Sequence, residues 1–260
     1  MVQKASLSNQ RNVIPTKSSK PHHSPKRIPE SIVDAIVAKR LGKHPRCGAV
    51  IQRELANEGV RVSISTVNRV LDRAGLLKKK SKWKRFWRNT PRPAPDNPGD
   101  LIELDTIRFR PFWHRNNKTA WYVYAGLDVN SRTGFAQAVE RISPGPSLHF
   151  ARRIQVEAPF RIGCFQTDNG QEFGRYFSLN LGVRHRKIRK RKPSDNAHVE
   201  KFIRTLQEEC LNKARFNTIE KLKQCLKEFI DYYNNRRLHM GINFQVPIQR
   251  LIAAGIVIQT

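Results

Sequence analysis

The sequence predicts an α/β fold with a mixed sheet, preceded by a smaller all-α unit. Three helical patterns follow one another before residue 77, β-rich segments begin beyond residue 99, and a proline-rich stretch separates the two regions. Hydrophobic residues make up 38% of the 260 residues, which is enough to build a core. This composition excludes a wholly disordered basic protein.

The charge of the chain indicates a polyanionic partner. Lys and Arg number 49 against 21 Asp and Glu, a net charge of +28. A surface this basic repels itself unless a polyanion such as nucleic acid neutralises it. No apolar run approaches the ~18 residues of a membrane span, and the N-terminus lacks the apolar region of a secretory signal. We therefore expect a DNA-associated cytoplasmic protein without a membrane partner.

The first predicted domain covers residues 29–77 and follows a disordered basic arm over 1–28. Apolar residues recur at helical spacing from Pro29 to Leu41, from about 46 to 58 and from about 64 to 74, and a glycine follows each segment. Ser63 is the expected N-cap of the third helix, whose apolar face would contain Ile64, Val67, Val70 and Leu71. Three short helices with tight turns are typical of a helix-turn-helix unit.

In a helix-turn-helix unit the third helix enters the major groove of DNA. The polar residues expected to reach phosphates or base edges are Ser65, Thr66, Asn68, Arg69 and Arg73. The alternative is a three-helix packing unit with a solvated polar face, and the charge of +28 favours DNA binding.

Residues 78–98 are predicted to be a linker. Its basic residues alternate with aromatic ones, which combines phosphate neutralisation with stacking surface, and prolines stiffen its second half. Lys82, Lys84 and Arg85 are the expected DNA contacts here. In the alternative interpretation, Trp83 and Trp87 only dock a helix onto the next domain.

The second predicted domain covers residues 99–250, followed by a C-terminal tail over 251–260. Strands are expected at 101–109, 120–129, 133–140, 161–167 and 183–188, with a modest helix at 147–156 and long helices at about 195–212 and 218–235. The four cysteines have no metal-binding spacing and are interpreted as small core residues in a reducing compartment.

Three carboxylates are candidate metal ligands. Asp105 lies within an apolar strand, Asp168 ends a second strand, and Glu200 lies on a helix that begins near Ser194. A carboxylate in an apolar strand is costly unless it is paired or binds a metal, and oxygen donors suit Mg²⁺. Two such ions about 4 Å apart support phosphodiester chemistry. Taken singly, each carboxylate fits a cap, a turn residue or an ion-pair partner better than a metal ligand.

Four motifs in order resemble the integrase catalytic core of DDE-type transposases and integrases. They are PGDLIELDTI (98–107), FQTDNGQEF (165–173), PSDNAHVEKFIRTLQEE (193–209) and YYNNRRLHMGINFQVP (232–247). The resemblance implies an RNase H-like fold and strand transfer that depends on Mg²⁺, with Mn²⁺ as a substitute.

By the same resemblance, Asp105, Asp168 and Glu200 match the catalytic and metal-binding triad, and Asn196 matches an Asn one helical turn before the Glu. Asp195 and Glu208 are the rivals for the third position. Tyr233, Asn234, Arg237 and His239 match the closing motif, in which Leu238 replaces the usual Pro.

A basic segment over 184–192 lies between Asp168 and Glu200. It leads into the helix of Glu200, so we expect it to hold a DNA backbone near the metal, although a solvated segment is the alternative. Its candidate contacts are Arg186, Lys187, Arg189, Lys190 and Arg191.

The function predicted from these features is transposase chemistry: binding of mobile-element ends, DNA cleavage and strand transfer into target DNA. We expect double-stranded DNA and further copies of the chain, assembled on DNA, as partners. Two alternatives are a non-catalytic DNA-binding regulator derived from a transposase and a nuclease of the same fold that only hydrolyses DNA.

Overall fold

The computed structural model describes residues 28–77, 95–110, 120–189, 193–213 and 215–258. The disordered arm expected over 1–28 lies outside these ranges except for Ile28, and so do the linker residues Lys82, Lys84 and Arg85. Lys190 and Arg191 of the basic segment lie outside them as well. Within the described part of the chain, no helix is long and apolar enough to cross a membrane.

Three short helices form the N-terminal helical unit: α1 (Glu30–Leu41), α2 (Gly48–Asn57) and α3 (Ile64–Arg73). Their buried faces meet in one small core, formed by Ile36, Ile51, Leu55, Val67, Val70 and Leu71. The Ser63 side chain accepts a hydrogen bond from the Thr66 amide at 3.1 Å, which is the predicted N-cap. The assignment of Ile64 to the apolar face was wrong, because in the first turn of α3 its side chain points away from this core and is 49% exposed.

The second unit is built on a five-stranded mixed sheet. The strands are β1 (Ile102–Phe109), β2 (Trp121–Asp128), β3 (Gly134–Val139), β4 (Cys164–Thr167) and β5 (Arg184–Lys187). Their order is β3-β2-β1-β4-β5; the pairs β3/β2 and β2/β1 are antiparallel, and the pairs β1/β4 and β4/β5 are parallel. This sheet with its flanking helices confirms the predicted α/β, RNase H-like fold class.

Helices cover both faces of the sheet. On one face, α4 (Pro144–Glu157) and α5 (Arg175–Asn180) pack in a core with Ile102, Leu104 and Phe165. On the other face, α6 (Ala197–Leu206) and α7 (Ile219–Asn235) pack in a core with Ile107 and Phe109. Because side chains alternate along a strand, Glu103 and Asp105 share the face of Ile107 and lie toward α6.

Three helices differ from the sequence-based expectation, two in their boundaries and one in its presence. The α-helix expected over 195–212 ends at Leu206, and the chain continues as a π-helical turn, Gln207–Leu211. The wider hydrogen-bond spacing of a π-helical turn leaves no hydrophobic periodicity that a sequence pattern reveals. Helix α5 was not predicted, since one and a half turns carry too little periodicity. Helix α8 (Pro247–Ala253) crosses the expected start of the tail, because Pro247 begins it and Leu251 is buried.

The helical unit contacts the second unit through the loop after α1. The His44 ring stacks on Tyr232 of α7 with ring centroids 3.9 Å apart, and His44 Nδ1 lies 3.3 Å from the Glu209 carbonyl oxygen. Lys43 Nζ lies 3.4 Å from a carboxylate oxygen of Glu228. Burial on Tyr232 lowers the pKa of His44, so the ring is held in its neutral, stacking form.

Candidate active site

Asp105 lies in the middle of β1, on the face toward α6. Its Oδ1 accepts a hydrogen bond from the Thr106 amide at 2.7 Å, which holds the carboxylate against its own strand. Partial burial raises the pKa of Asp105 to about 6, the Thr106 hydrogen bond opposes that rise, and the charges of Asp168, Glu200 and Glu172 add to it. Four carboxylates are therefore close enough to interact electrically.

Asp168 follows the last residue of β4, at the end of the strand that lies parallel to β1. Its Oδ1 accepts a hydrogen bond from the Gly170 amide at 2.8 Å, which closes a tight turn. A Cβ at Gly170 would lie 2.5 Å from Glu172 Oε2 and 2.9 Å from Asp168 Oδ1. An added Cβ at Gly170 would therefore displace the carboxylates of Glu172 and Asp168, which both lie near it.

Glu200 lies in the first turn of α6 and is exposed. The start of that helix is attached to β1 by Glu103, which is 2% exposed. Glu103 Oε2 accepts hydrogen bonds from the amides of His198 and Val199, each at 2.9 Å. A carboxylate at a helix N-terminus satisfies free amides and complements the helix dipole. The strand of Asp105 and the helix of Glu200 are thus joined directly.

Asn196 precedes α6 and is buried beneath it. Its Nδ2 donates to the Leu104 carbonyl oxygen at 2.9 Å, and its Oδ1 lies 3.4 Å from Gln166 Nε2. The same Gln166 Nε2 donates to the Asp195 carbonyl oxygen at 2.7 Å. Asn196 therefore fixes the approach to α6 against β1 and β4, while Glu200 remains exposed.

The donor set suits a hard divalent cation. All four groups are carboxylates, and neither Asp105 nor Asp168 forms a salt bridge with another described residue. In the described ranges, however, no three His, Cys, Asp or Glu side chains converge closely enough to form a complete ligand set. Burial is the largest cause of the raised pKa of Asp105, and the charges of Asp168, Glu200 and Glu172 add to it; a bound cation relieves the repulsion among these carboxylates.

The edge strand β5 carries basic side chains near the start of α6. Arg184, Arg186 and Lys187 line a cavity of about 570 Å³ together with Glu103 and His198, and Asp105, Asp168 and Glu200 are not among its lining residues. Arg186 Nε donates to Gln166 Oε1 at 2.6 Å, so this guanidinium belongs to the network of Asn196. Arg189 is paired with Asp195 through two hydrogen bonds of 3.0 Å.

Comparison with known proteins shows which proteins this chain is similar to. An integrase core domain matches residues 181–247. The transposase for insertion sequence element IS904 of Lactococcus lactis is 26% identical over 221 residues, which cover 78% of this chain and 86% of that protein. An uncharacterized 31.7 kDa protein of insertion element IS407 from Burkholderia multivorans is 25% identical over 235 residues, covering 88% and 82%. The chain is thus similar to an insertion-sequence transposase along most of its length and to an integrase core domain over residues 181–247.

Among solved structures, a simian T-cell lymphotropic virus intasome in complex with PP2A regulatory subunit B56 gamma aligns with this chain. The TM-score is 0.48 at 14% identity, covering 76% of this chain and 69% of that one.

The residues of the predicted closing motif make structural contacts. Asn234 pairs with Gly134 of β3 through both backbone groups, at 2.8 and 3.0 Å. Arg237 donates to both oxygens of the buried Glu209 on the π-helical turn, at 2.7 Å for the shortest bond. Burial lowers the pKa of His239 to about 3, and its ring packs against Tyr233 at 4.4 Å. These contacts attach α7 to the sheet and to the end of α6.

On α3, Ser65, Asn68, Arg69 and Arg73 are exposed, and Thr66 is half-buried. Arg69 donates to the Thr66 hydroxyl at 3.2 Å. A DNA-binding role for these side chains stays a prediction.

Two acidic residues of the site were missed in the sequence. Glu172 belongs to the quoted FQTDNGQEF motif but was not singled out, although two carboxylates four residues apart around a glycine turn were a usable signal. Glu103 shares its strand face with Asp105 by two-residue alternation. Its capping role depends on where α6 begins in space, which no local pattern gives.

Proposed function

We propose that this chain catalyses metal-dependent DNA cleavage and strand transfer with Asp105, Asp168 and Glu200 as its catalytic carboxylates. The observation that carries the proposal is the proximity of four carboxylates: the charges of Asp168, Glu200 and Glu172 add to the effect of burial, the largest cause, in raising the pKa of Asp105. Neighbouring carboxylates repel one another, and binding a cation is the function that offsets this cost.

The residues proposed to hold the cation are placed by backbone hydrogen bonds. The Thr106 amide orients Asp105 and the Gly170 amide orients Asp168, so both carboxylates are fixed before a ligand arrives. A bound Mg²⁺, or Mn²⁺ in its place, supplies Lewis-acid stabilisation of a phosphodiester under in-line attack by water or a 3′-hydroxyl. The chain supplies position and charge, with no covalent nucleophile.

The proposed substrate is double-stranded DNA, both as the ends of a mobile element and as its target. The helical unit over 29–77 would bind the ends through α3, and the basic residues of β5 would hold the backbone beside the carboxylates. The proposed active form contains several copies on DNA, and the bacterial relatives support action in the bacterial cytoplasm.

Substitution of the three carboxylates tests the proposal. Asp105→Asn, Asp168→Asn and Glu200→Gln should each lower cleavage of labelled element ends by about a thousand-fold, because a bound cation contributes several kcal/mol to the transition state. End binding should stay within a few-fold, since it depends on Lys and Arg. Glu208→Gln, an exposed acid on the following π-helical turn, is the matched control.

Normal cleavage by any one of the three variants would remove that residue from the catalytic set. Loss of cleavage in all variants including Glu208→Gln would indicate a general structural defect. Cleavage without joining to target DNA would favour the nuclease alternative, and end binding by a wild-type chain that never cleaves would favour the regulator.

A further inference from the structure

Two cysteines that are distant in sequence lie side by side in the fold. Cys210 is on the π-helical turn after α6, Cys225 is on α7, and their sulfurs are 3.2 Å apart. A disulfide has an S–S distance of about 2.05 Å, so an approach of roughly 1 Å joins the two sulfurs. Neither cysteine belongs to the proposed active site, so the pair is a separate feature of the chain.

The pair is accessible from one side. Cys210 is 3% exposed, whereas Cys225 is half-exposed, and both line a cavity of about 140 Å³. Lys43 and His44 of the helical unit form the opposite wall of this cavity. A molecule of a few heavy atoms fits the cavity and reaches Cys225 first.

The two thiols are not equivalent. A hydrogen bond from the Cys210 thiol lowers the pKa of Cys225, with a smaller contribution from the Lys43 ammonium, against the opposing effects of burial and Glu228. The same hydrogen bond and burial raise the pKa of Cys210. A thiolate is the nucleophile in thiol oxidation, so Cys225 is the attacking sulfur and Cys210 the resolving one.

We propose that Cys210 and Cys225 form a redox-active dithiol that hydrogen peroxide converts into an intramolecular disulfide. The Cys225 thiolate attacks one peroxide oxygen, forming an S–O bond while the O–O bond breaks, and the departing oxygen leaves as water after taking a proton. The Cys210 sulfur then attacks Cys225, the S–O bond breaks, and the oxygen leaves with the Cys210 proton as a second water. Two thiols are oxidised, and one peroxide is reduced to two waters.

The pair lies directly beneath the contact between the two units of the chain. Cys210 follows Glu209, whose carbonyl oxygen meets His44, and Cys225 lies one helical turn from Glu228, which pairs with Lys43. The disulfide would join the π-helical turn to α7 at this contact. It would close a short loop between two packed elements, which restricts the unfolded chain and raises the unfolding temperature.

The test is mass spectrometry of the full chain after treatment with hydrogen peroxide and alkylation of the remaining thiols. We expect one species with Cys210 and Cys225 peptides linked, two hydrogens lighter than the reduced form, and recovery of both thiols on reduction. The unfolding temperature should rise on oxidation of the wild-type chain and not of Cys225→Ser. Cys47→Ser removes an exposed thiol outside the pair and should retain the link.

Three results would overturn the proposal: oxidation of Cys225 to sulfinic acid without a link, reaction only at Cys47, or four thiols that remain free under peroxide. Should Cys225→Ser fold poorly by circular dichroism, Cys210→Ala provides the second variant. It should leave Cys225 unable to form the link and open to further oxidation.

Discussion

At Asp105, burial and the neighbouring carboxylates make ionisation of a single side chain unfavourable. Its pKa is about 6, raised from 3.8 by burial and then by neighbouring carboxylates. A raised carboxyl pKa means that the folded chain binds its proton more tightly than the unfolded chain does. Folding stability contributed by this group is therefore highest below pH 3.8, falls as the pH rises through about 6, and is lowest at neutral pH.

Asp105→Asn should consequently stabilise the chain at pH 7.5, without added divalent cation, by roughly 1–3 kcal/mol relative to the wild type. The difference should shrink as the pH falls toward 4, where the wild-type carboxyl is protonated as well. Urea unfolding curves at several pH values measure it, and a difference independent of pH would contradict the assigned cause. Adding Mg²⁺ should raise the unfolding temperature of the wild type and leave that of Asp105→Asn unchanged.

At Gly170, a substitution is expected to affect cleavage more than the stability of the fold. Its φ is −56°, a conformation open to any residue, but an added Cβ would meet the carboxylates of Glu172 and Asp168. Gly170→Ala should lower cleavage by at least about ten-fold while changing the free energy of unfolding by less than about 1 kcal/mol. Gly145→Ala, where nothing lies within 4 Å of the added Cβ, is the matched control. Full activity in Gly170→Ala would show that the two carboxylates need not keep this spacing.

At the scale of elements, the site depends on how α6 meets β1. Glu103 receives the first amides of α6, and Asn196 anchors the preceding turn to the Leu104 carbonyl oxygen. Removing charge from a buried acceptor of two amides weakens two hydrogen bonds together. The elements that present Asp105 and Glu200 are therefore positioned by residues that take no part in the chemistry.

Glu103→Gln should destabilise the chain by about 1–3 kcal/mol, because its neutral amide is a weaker acceptor and brings an unpaired donor into a buried site. Glu140→Gln, at an exposed acid just beyond β3, should stay within about 0.5 kcal/mol of the wild type. Chemical denaturation of the two variants in parallel provides the comparison. Equal stability of both would mean that the cap does not hold α6.

The edge strand β5 offers a test of the DNA path. Arg184 and Lys187 line the cavity of about 570 Å³ that Glu103 also lines, whereas Arg189 is already paired with Asp195. Each lost phosphate contact lowers the slope of log K against log salt by about 0.9 on duplex DNA. The double variant Arg184→Ala, Lys187→Ala should thus lose nearly two units of slope, and Arg189→Ala clearly less than one. Titrations over a salt series distinguish these values, and an unchanged slope in the double variant would place the DNA elsewhere.

For the whole molecule, binding and chemistry are expected to reside in different units. The helical unit presents exposed Arg69 on α3, and the second unit carries the carboxylates. The His44 and Lys43 contacts join the two units at α7 and the π-helical turn. A change in one unit should therefore leave the task of the other intact.

Arg69→Ala in the full chain should weaken binding of element ends by roughly 1–3 kcal/mol, the value of one good base contact, and affect random DNA much less. Arg53→Ala, exposed on α2, is the control for lost charge alone. Competition gel shifts with specific and random duplexes measure both. A loss that is equal for the two duplexes would show that Arg69 contacts only phosphates.

The sequence by itself determined the strands, most helices and the three motif carboxylates, because side-chain periodicity, caps and glycine turns are properties of neighbouring residues. Ser63 is one instance: it was predicted as the N-cap of α3, and its hydroxyl oxygen accepts a hydrogen bond from the Thr66 amide at 3.1 Å. Only the tertiary structure brought Glu103 to the start of α6 and Cys210 to Cys225. These contacts join residues on different elements, whose approach depends on strand order and helix packing rather than on any local pattern.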